Sequence, residues 1–152
     1  MAAHETTTTT ATAPLADTDT YVRVQHFYAR QMRLLDTGAT DAWAATFAED
    51  GVFAANGLPA PVRGRGNIAA AAEEAARRLA EAGVVHRHWV GMLTTEPAEA
   101  GRLRATCYAL VLEVPRGGEA TVHRSTVCVD LLAPAGDDWV VVDRRVTRDD
   151  LA

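Results

Sequence analysis

The chain has 152 residues, 48% of them apolar and 23% charged, with a formal net charge of -5. That length suits one domain around one core, and its basic residues are all arginines scattered without a run, which argues against a nucleic-acid or anionic-membrane partner. No stretch is apolar for long enough to span a bilayer, and the N-terminus lacks the blocks of a signal peptide, so a cytoplasmic location is expected.

Residues 1–16 hold a run of threonines and almost nothing to bury, so they are predicted to be a disordered tail with His4 incidental to it. A single domain is expected over 17–152. Any of Asp17 to Thr20 can cap a first helix, in which Tyr21, Val24, Tyr28 and Leu35 mark one stripe, supported by Phe27, Met32 and Leu34, up to Gly38. Thr40 opens a short second helix carrying Trp43 and Phe47. Glu49-Asp50-Gly51 reads as a turn into a strand at Val52–Ala55. A Pro/Gly-rich connection then leads to Asn67, the expected cap of a third helix with Ile68, Ala71, Ala72, Ala75 and Leu79 at helical spacing, ended by Gly83. Four long strands follow, near 84–95, 102–114, 120–132 and 138–147. The plan is α+β: three N-terminal helices packed on a strongly curved antiparallel sheet that encloses a cone, with its pocket at the mouth.

Chemistry concentrates in Val85–Leu93. Alternation puts His86, His88, Val90 and Met92 on one face and Arg87, Trp89, Gly91 and Leu93 on the other, and the sequence leaves open which face is inner. An imidazole in an apolar pocket is placed for proton transfer near neutral pH. Asp36, ending the first helix, can orient it or can bond nearby backbone. On later strands Tyr108 stands with Thr106, and His123 with Ser125 and Val127; these reach a common pocket if those faces point inward. Trp43, Phe47, Trp89 and Trp139 read as core or as ligand-stacking rings, and the Tyr28 hydroxyl as pocket or core. Arg144 and Arg145 with Asp143 form either an exposed ion-pair cluster or an inward cation suited to an acidic substrate. Leu110, Leu112, Val127, Val90 and Met92 predict an apolar ligand.

His86 and His88 can chelate a metal from one face, with His123 or Asp36 as third ligand, yet no further histidine–carboxylate motif accompanies them. No glycine-rich phosphate loop, GxGxxG or GxSxG is present, so no nucleotide cofactor is expected. Cys107 and Cys128 read as buried thiols rather than a disulfide.

The segments Phe27–Gly38 and Ala42–Phe53, the strand Arg87-His88-Trp89 and the ending Trp139–Val146 together resemble the SnoaL-like, NTF2-like superfamily. Within it the chain is most similar to the small dehydratase/cyclase proteins of actinomycete aromatic polyketide clusters. The resemblance implies a cofactor-independent and metal-free enzyme acting on a small aromatic polyketide intermediate, and a homodimer formed through the outer sheet face. Scytalone dehydratases, in the same superfamily, carry a catalytic aspartate that corresponds to Asp36 and a strand histidine that matches His88-Trp89-Val90-Gly91. Their tyrosine before the aspartate is Leu35 here, and later polar positions correspond to His123 and Ser125. The expected catalytic residues are thus His88, Asp36, His123 and Tyr108; the expected substrate contacts are Tyr28, Trp43, Phe47, Ser125, His86 and Met92. The rival readings are a ketosteroid-isomerase-like isomerase or hydrolase, and a ligand-binding accessory module without turnover.

Overall fold

The structure, a computed structural model, describes residues 13–152; the expected disordered tail falls mostly outside the described residues. Ala16, at its end, donates its N–H to the Thr95 carbonyl at 2.7 Å. Helix α1 (Thr18–Asp36) starts where the Asp17 carboxylate accepts from Thr20 N–H at 2.9 Å. Val24, Phe27, Tyr28, Gln31 and Met32 form its buried stripe at the i, i+3, i+4, i+7, i+8 spacing. The short α2 (Thr40–Ala44) follows.

Strand β1 (Phe47–Ala55) begins earlier than the sequence suggests. Phe47 is its first residue, not part of α2, and Glu49-Asp50-Gly51 lies inside the strand as an irregularity rather than before it. Five positions of β1, from Phe47 to Val52, advance against only two of its partner, Val141 to Asp143. Gly51 is required at that irregularity, because a Cβ there would stand 2.9 Å from the Ala48 carbonyl oxygen and 3.2 Å from that of Val141. A two-residue β2 (Val62–Arg63) pairs back onto β1. Helix α3 (Arg65–Ala82) starts after Gly64 and not at Asn67, whose side-chain amide donates instead to the Arg63 carbonyl at 2.9 Å. Gly83 ends it in the left-handed conformation at φ 66°.

Strands β3 (Val84–Pro97), β4 (Leu103–Pro115), β5 (Thr121–Ala135) and β6 (Asp138–Arg148) complete a curved six-stranded sheet ordered β2-β1-β6-β5-β4-β3. Neighbours are antiparallel except β1 and β6, which run parallel. The three helices cover one face, but only α1 and α2 precede the sheet in the chain; α3 follows the β1–β2 hairpin. The core between the layers joins Val24, Phe27 and Trp43 to Leu103, Leu132 and Val141.

Two bulges decide which side chains face the helices. In β3 the register passes from Gly91–Tyr108 to Thr94–Thr106, so β3 carries one extra residue, and Met92 takes φ 51°. In β5 the register passes from Val111–Arg124 to Leu112–Val122, which leaves His123 as the extra residue. A side-chain alternation counted through either point changes face.

Candidate functional site

The inner face of β3 carries His86, His88 and Val90. Asp36, the last residue of α1, meets His88 twice: one carboxylate oxygen accepts the His88 main-chain N–H at 3.0 Å, and the other accepts from ring Nδ1 at 2.6 Å. A carboxylate at a helix C-terminus sits at the negative end of the helix dipole, an unfavourable place, and two N–H donors offset that. With Nδ1 committed to Asp36, the imidazole is held in one tautomer and Nε2 is left as the basic atom. The side chains of Asp36 and His88 are 9% and 21% exposed, so the pair is shielded but reachable.

His88 stands where two hollows meet. On one side is an apolar cavity of about 210 Å³ between helices and sheet, whose wall includes Met32, Leu35, Trp43, Phe53, Val90 and Val111. On the other, a more open groove of about 510 Å³ runs past Gln25, Met32, Arg33 and Trp89. An apolar cavity of about 150 Å³ suffices for a benzene ring, so the inner hollow suits an aromatic fragment, with the groove taking what extends from it. The Trp43 indole N–H is buried and meets no acceptor among the described residues. Phe47 lies behind the cavity as core, edge-on to Trp43 with ring centroids 5.0 Å apart.

A buried polar network backs this wall. Arg144 (4% exposed) grips Asp130 (1%) through Nε at 2.9 Å and Nη2 at 2.6 Å, and Nη2 also donates to Gln31 Oε1 at 2.7 Å. Tyr28 donates its hydroxyl to Asp130 at 2.7 Å, so its ring lines the cavity while its O–H is committed inward. Burial first, and the Asp130 charge second, hold the Tyr28 phenol well above its ordinary pKa. Burial works against the Arg144 charge, but Asp130 prevails and the guanidinium pKa is raised. Arg145, by contrast, is exposed and pairs with Asp143 at 3.1 Å, so the two adjacent arginines divide between core and surface.

His86 and His123 do not join the His88–Asp36 pair. They form a separate group with Glu113: His86 Nε2 lies 3.0 Å and His123 Nδ1 3.4 Å from the same oxygen, Oε2. The hydrogen bond from His86, followed by the His123 charge, lowers the Glu113 pKa, while burial and then Arg124 lower that of His123.

The remaining expected residues lie elsewhere. Tyr108, Ser125 and Met92 stand on the outer face of the sheet, Tyr108 at 57% and Met92 at 78% exposure. Ser125 Oγ donates to Asp149 there. The β5 bulge at His123 is the reason that His123 and Ser125 part company, and the β3 bulge turns Met92 out and Leu93 in. Leu110 and Val127 also face an outer groove with Trp89, not the cavity. Cys107 and Cys128 are register partners and free thiols; the Cys128 contact, then burial, raises the Cys107 pKa. Sequence reasoning missed Gln31, Glu113, Arg124 and Asp130. A charged residue inside Val127-Cys128-Val129-Asp130-Leu131 was the available signal for the last.

The SnoaL-like domain family matches residues 16–145. No curated protein matches the chain. Among solved structures, Aln2 from a Streptomyces species is 33% identical with a TM-score of 0.83, over 91% of this chain and 96% of that one. ActVI-ORFA from Streptomyces coelicolor is 32% identical, TM-score 0.78, over 86% and 98%. A protein from Catenulispora acidiphila, solved in complex with S-DNPA, is 33% identical, TM-score 0.78, over 88% and 96%. The architecture is the NTF2-like, cystatin-like fold. With most of its length matched by one domain family and by these structures, the chain belongs to the SnoaL-like family.

Proposed function

We propose that the protein is a cofactor-independent dehydratase/cyclase for an aromatic polyketide intermediate, working by general acid/base catalysis at His88. The observation that carries this reading is the Asp36-held imidazole opening on an apolar cavity. The similarity to ActVI-ORFA and Aln2 supports the substrate class, and the S-DNPA complex of the Catenulispora acidiphila protein supports binding of a small molecule.

In this mechanism His88 Nε2 takes a carbon-bound proton, either the one α to the carbonyl of a β-hydroxy ketone or the one on the carbon next to the hydroxyl-bearing carbon of a hemiketal. Asp36 stabilises the imidazolium through Nδ1–H. The departing hydroxyl then receives the proton from Nε2 and leaves as water, which returns His88 to its starting state. Arg124, which lines the cavity, supplies positive charge for the oxygen that gains negative charge. Tyr28 shapes the wall.

The test is to follow water loss from a hemiketal naphthalene precursor with the wild-type protein, His88→Ala and Asp36→Asn. Asparagine would present an N–H to Nδ1 and invert the tautomer, so both variants should lose about 10²–10⁴-fold in turnover. Unchanged turnover in both would remove the site assignment. The proposal includes a homodimer through the outer face, where Trp89 (69% exposed), Tyr108 and Met92 form an apolar surface. Sedimentation equilibrium should give a dimer that Trp89→Ser weakens; a monomeric wild type would remove that part.

A further inference from the structure

We propose that His86, Glu113 and His123 form a binding site for a divalent cation of the zinc class, beside the cavity and independent of the His88–Asp36 pair. Among the described residues these three are the one group whose possible ligand atoms all lie within 4.8 Å of one another.

The fold assembles the group from three strands. Glu113 of β4 stands opposite His86 of β3 in the register. His123 is the unpaired residue of the β5 bulge, and its ring comes to lie against that of His86 with centroids 5.0 Å apart at 36°. Both ring nitrogens converge on a single carboxylate oxygen, at 3.0 and 3.4 Å. Zinc bonds of about 2.0–2.2 Å in a tetrahedral arrangement separate neighbouring ligand atoms by roughly 3.3 Å, so two of the three spacings are already those of a coordinated set. An ion pair alone does not account for this convergence: the second imidazole is in charge range of Oε2 without a hydrogen bond to it. A cation between the three atoms would satisfy all of them.

Two imidazoles and one carboxylate favour zinc, cobalt, nickel or copper over magnesium or calcium, which prefer all-oxygen shells. Three protein ligands leave a fourth position for water or an oxygen of a guest. His88 is not part of the group, because its ring atoms are not among the ligand atoms that lie within 4.8 Å of one another. The Arg124 charge next to His123 opposes a dication, so the affinity should be weaker than that of closed structural sites. The site departs from the metal-free expectation that the family resemblance carries.

The experiment is calorimetric titration of the full chain, first stripped with chelator, with zinc ion alone. One equivalent should bind saturably. Glu113→Gln and His123→Ala should each weaken binding at least 10-fold, the double variant His86→Ala/His123→Ala should abolish it, and His26→Ala, on the exposed side of α1, should leave it unchanged. Circular dichroism of each metal-free variant establishes that it is folded, and Glu113→Gln keeps a near-isosteric side chain should the double variant unfold. Absence of saturable binding to the wild type, or binding that survives in folded Glu113→Gln at full strength, would overturn the proposal. So would a second equivalent of equal affinity that the double variant retains, since zinc would then be bound elsewhere.

Discussion

Asp130→Asn removes one charge from a pair that is almost entirely buried. Arg144 sits at 4% exposure and has Asp130 as its carboxylate, held by Nε and Nη2, while Tyr28 donates to the same carboxylate. Asparagine keeps the shape and one acceptor oxygen but leaves the guanidinium charge buried and uncompensated. Breaking a buried pair in this way costs about 3–5 kcal/mol. For a domain of this size each kcal/mol moves the melting temperature by about 2–4 °C, so Tm should fall by roughly 6–20 °C. Differential scanning calorimetry at neutral pH reads it directly. The companion variant Asp130→Leu/Arg144→Met removes both charges, leaving the Tyr28 hydroxyl and Gln31 short of partners at about 1–3 kcal/mol each. The two losses together, about 2–6 kcal/mol, bracket the cost of the single variant, so the double variant should be of similar stability to Asp130→Asn despite carrying the larger change in chemistry. A fall of under about 2 °C for Asp130→Asn, or a double variant clearly less stable than the single, would refute the reasoning that uncompensated charge decides the outcome.

The same network predicts an alkaline weakness. The folded-state pKa of Tyr28 is raised, so the folded protein keeps a proton that the unfolded chain releases near its ordinary value of about 10; the associated stability is intact below that pH and declines as pH rises beyond it. Urea midpoints measured from pH 8 upward should fall more steeply for wild type than for Tyr28→Phe, and parallel curves would contradict the assignment. At the β1 irregularity, Gly51→Ala places a methyl against two main-chain oxygens that have no freedom to move aside. A loss of about 1–3 kcal/mol in chemical denaturation is expected, and a neutral effect would show that β1 relaxes more easily than its contacts indicate.

Much of this architecture was readable from local pattern. The α1 stripe, the glycine stop at Gly83 and the four long strands all follow from periodicity and turn chemistry, which act over a few residues. His88 was readable too, since an imidazole between valines and a tryptophan is conspicuous in a strand, and Asp36 at a helix end fits the same resemblance. What failed did so at places where spacing is interrupted. A count by twos carries Met92 inward with His88, but one inserted residue reverses the faces; the same event at His123 separates it from Ser125. Phe47 carries a ring that suits the buried side of a helix or the start of a strand, and only pairing with Val141 decides between them. The link of Asp130 to Arg144, and of Arg144 to Gln31 113 positions away, needs a sheet register that no window along the chain contains.

Strand β3 is the last in the sheet, so its far margin offers main-chain groups with no neighbouring strand to receive them. Such margins invite another chain to add on, and here the His88 amide is stoppered by Asp36. The carboxylate that steadies the ring thus also closes a docking point for intermolecular strand pairing. Variants at position 36 should therefore be watched for turbidity at high concentration as well as for the loss of turnover that the proposed dehydratase role predicts, because one substitution would open both vulnerabilities together.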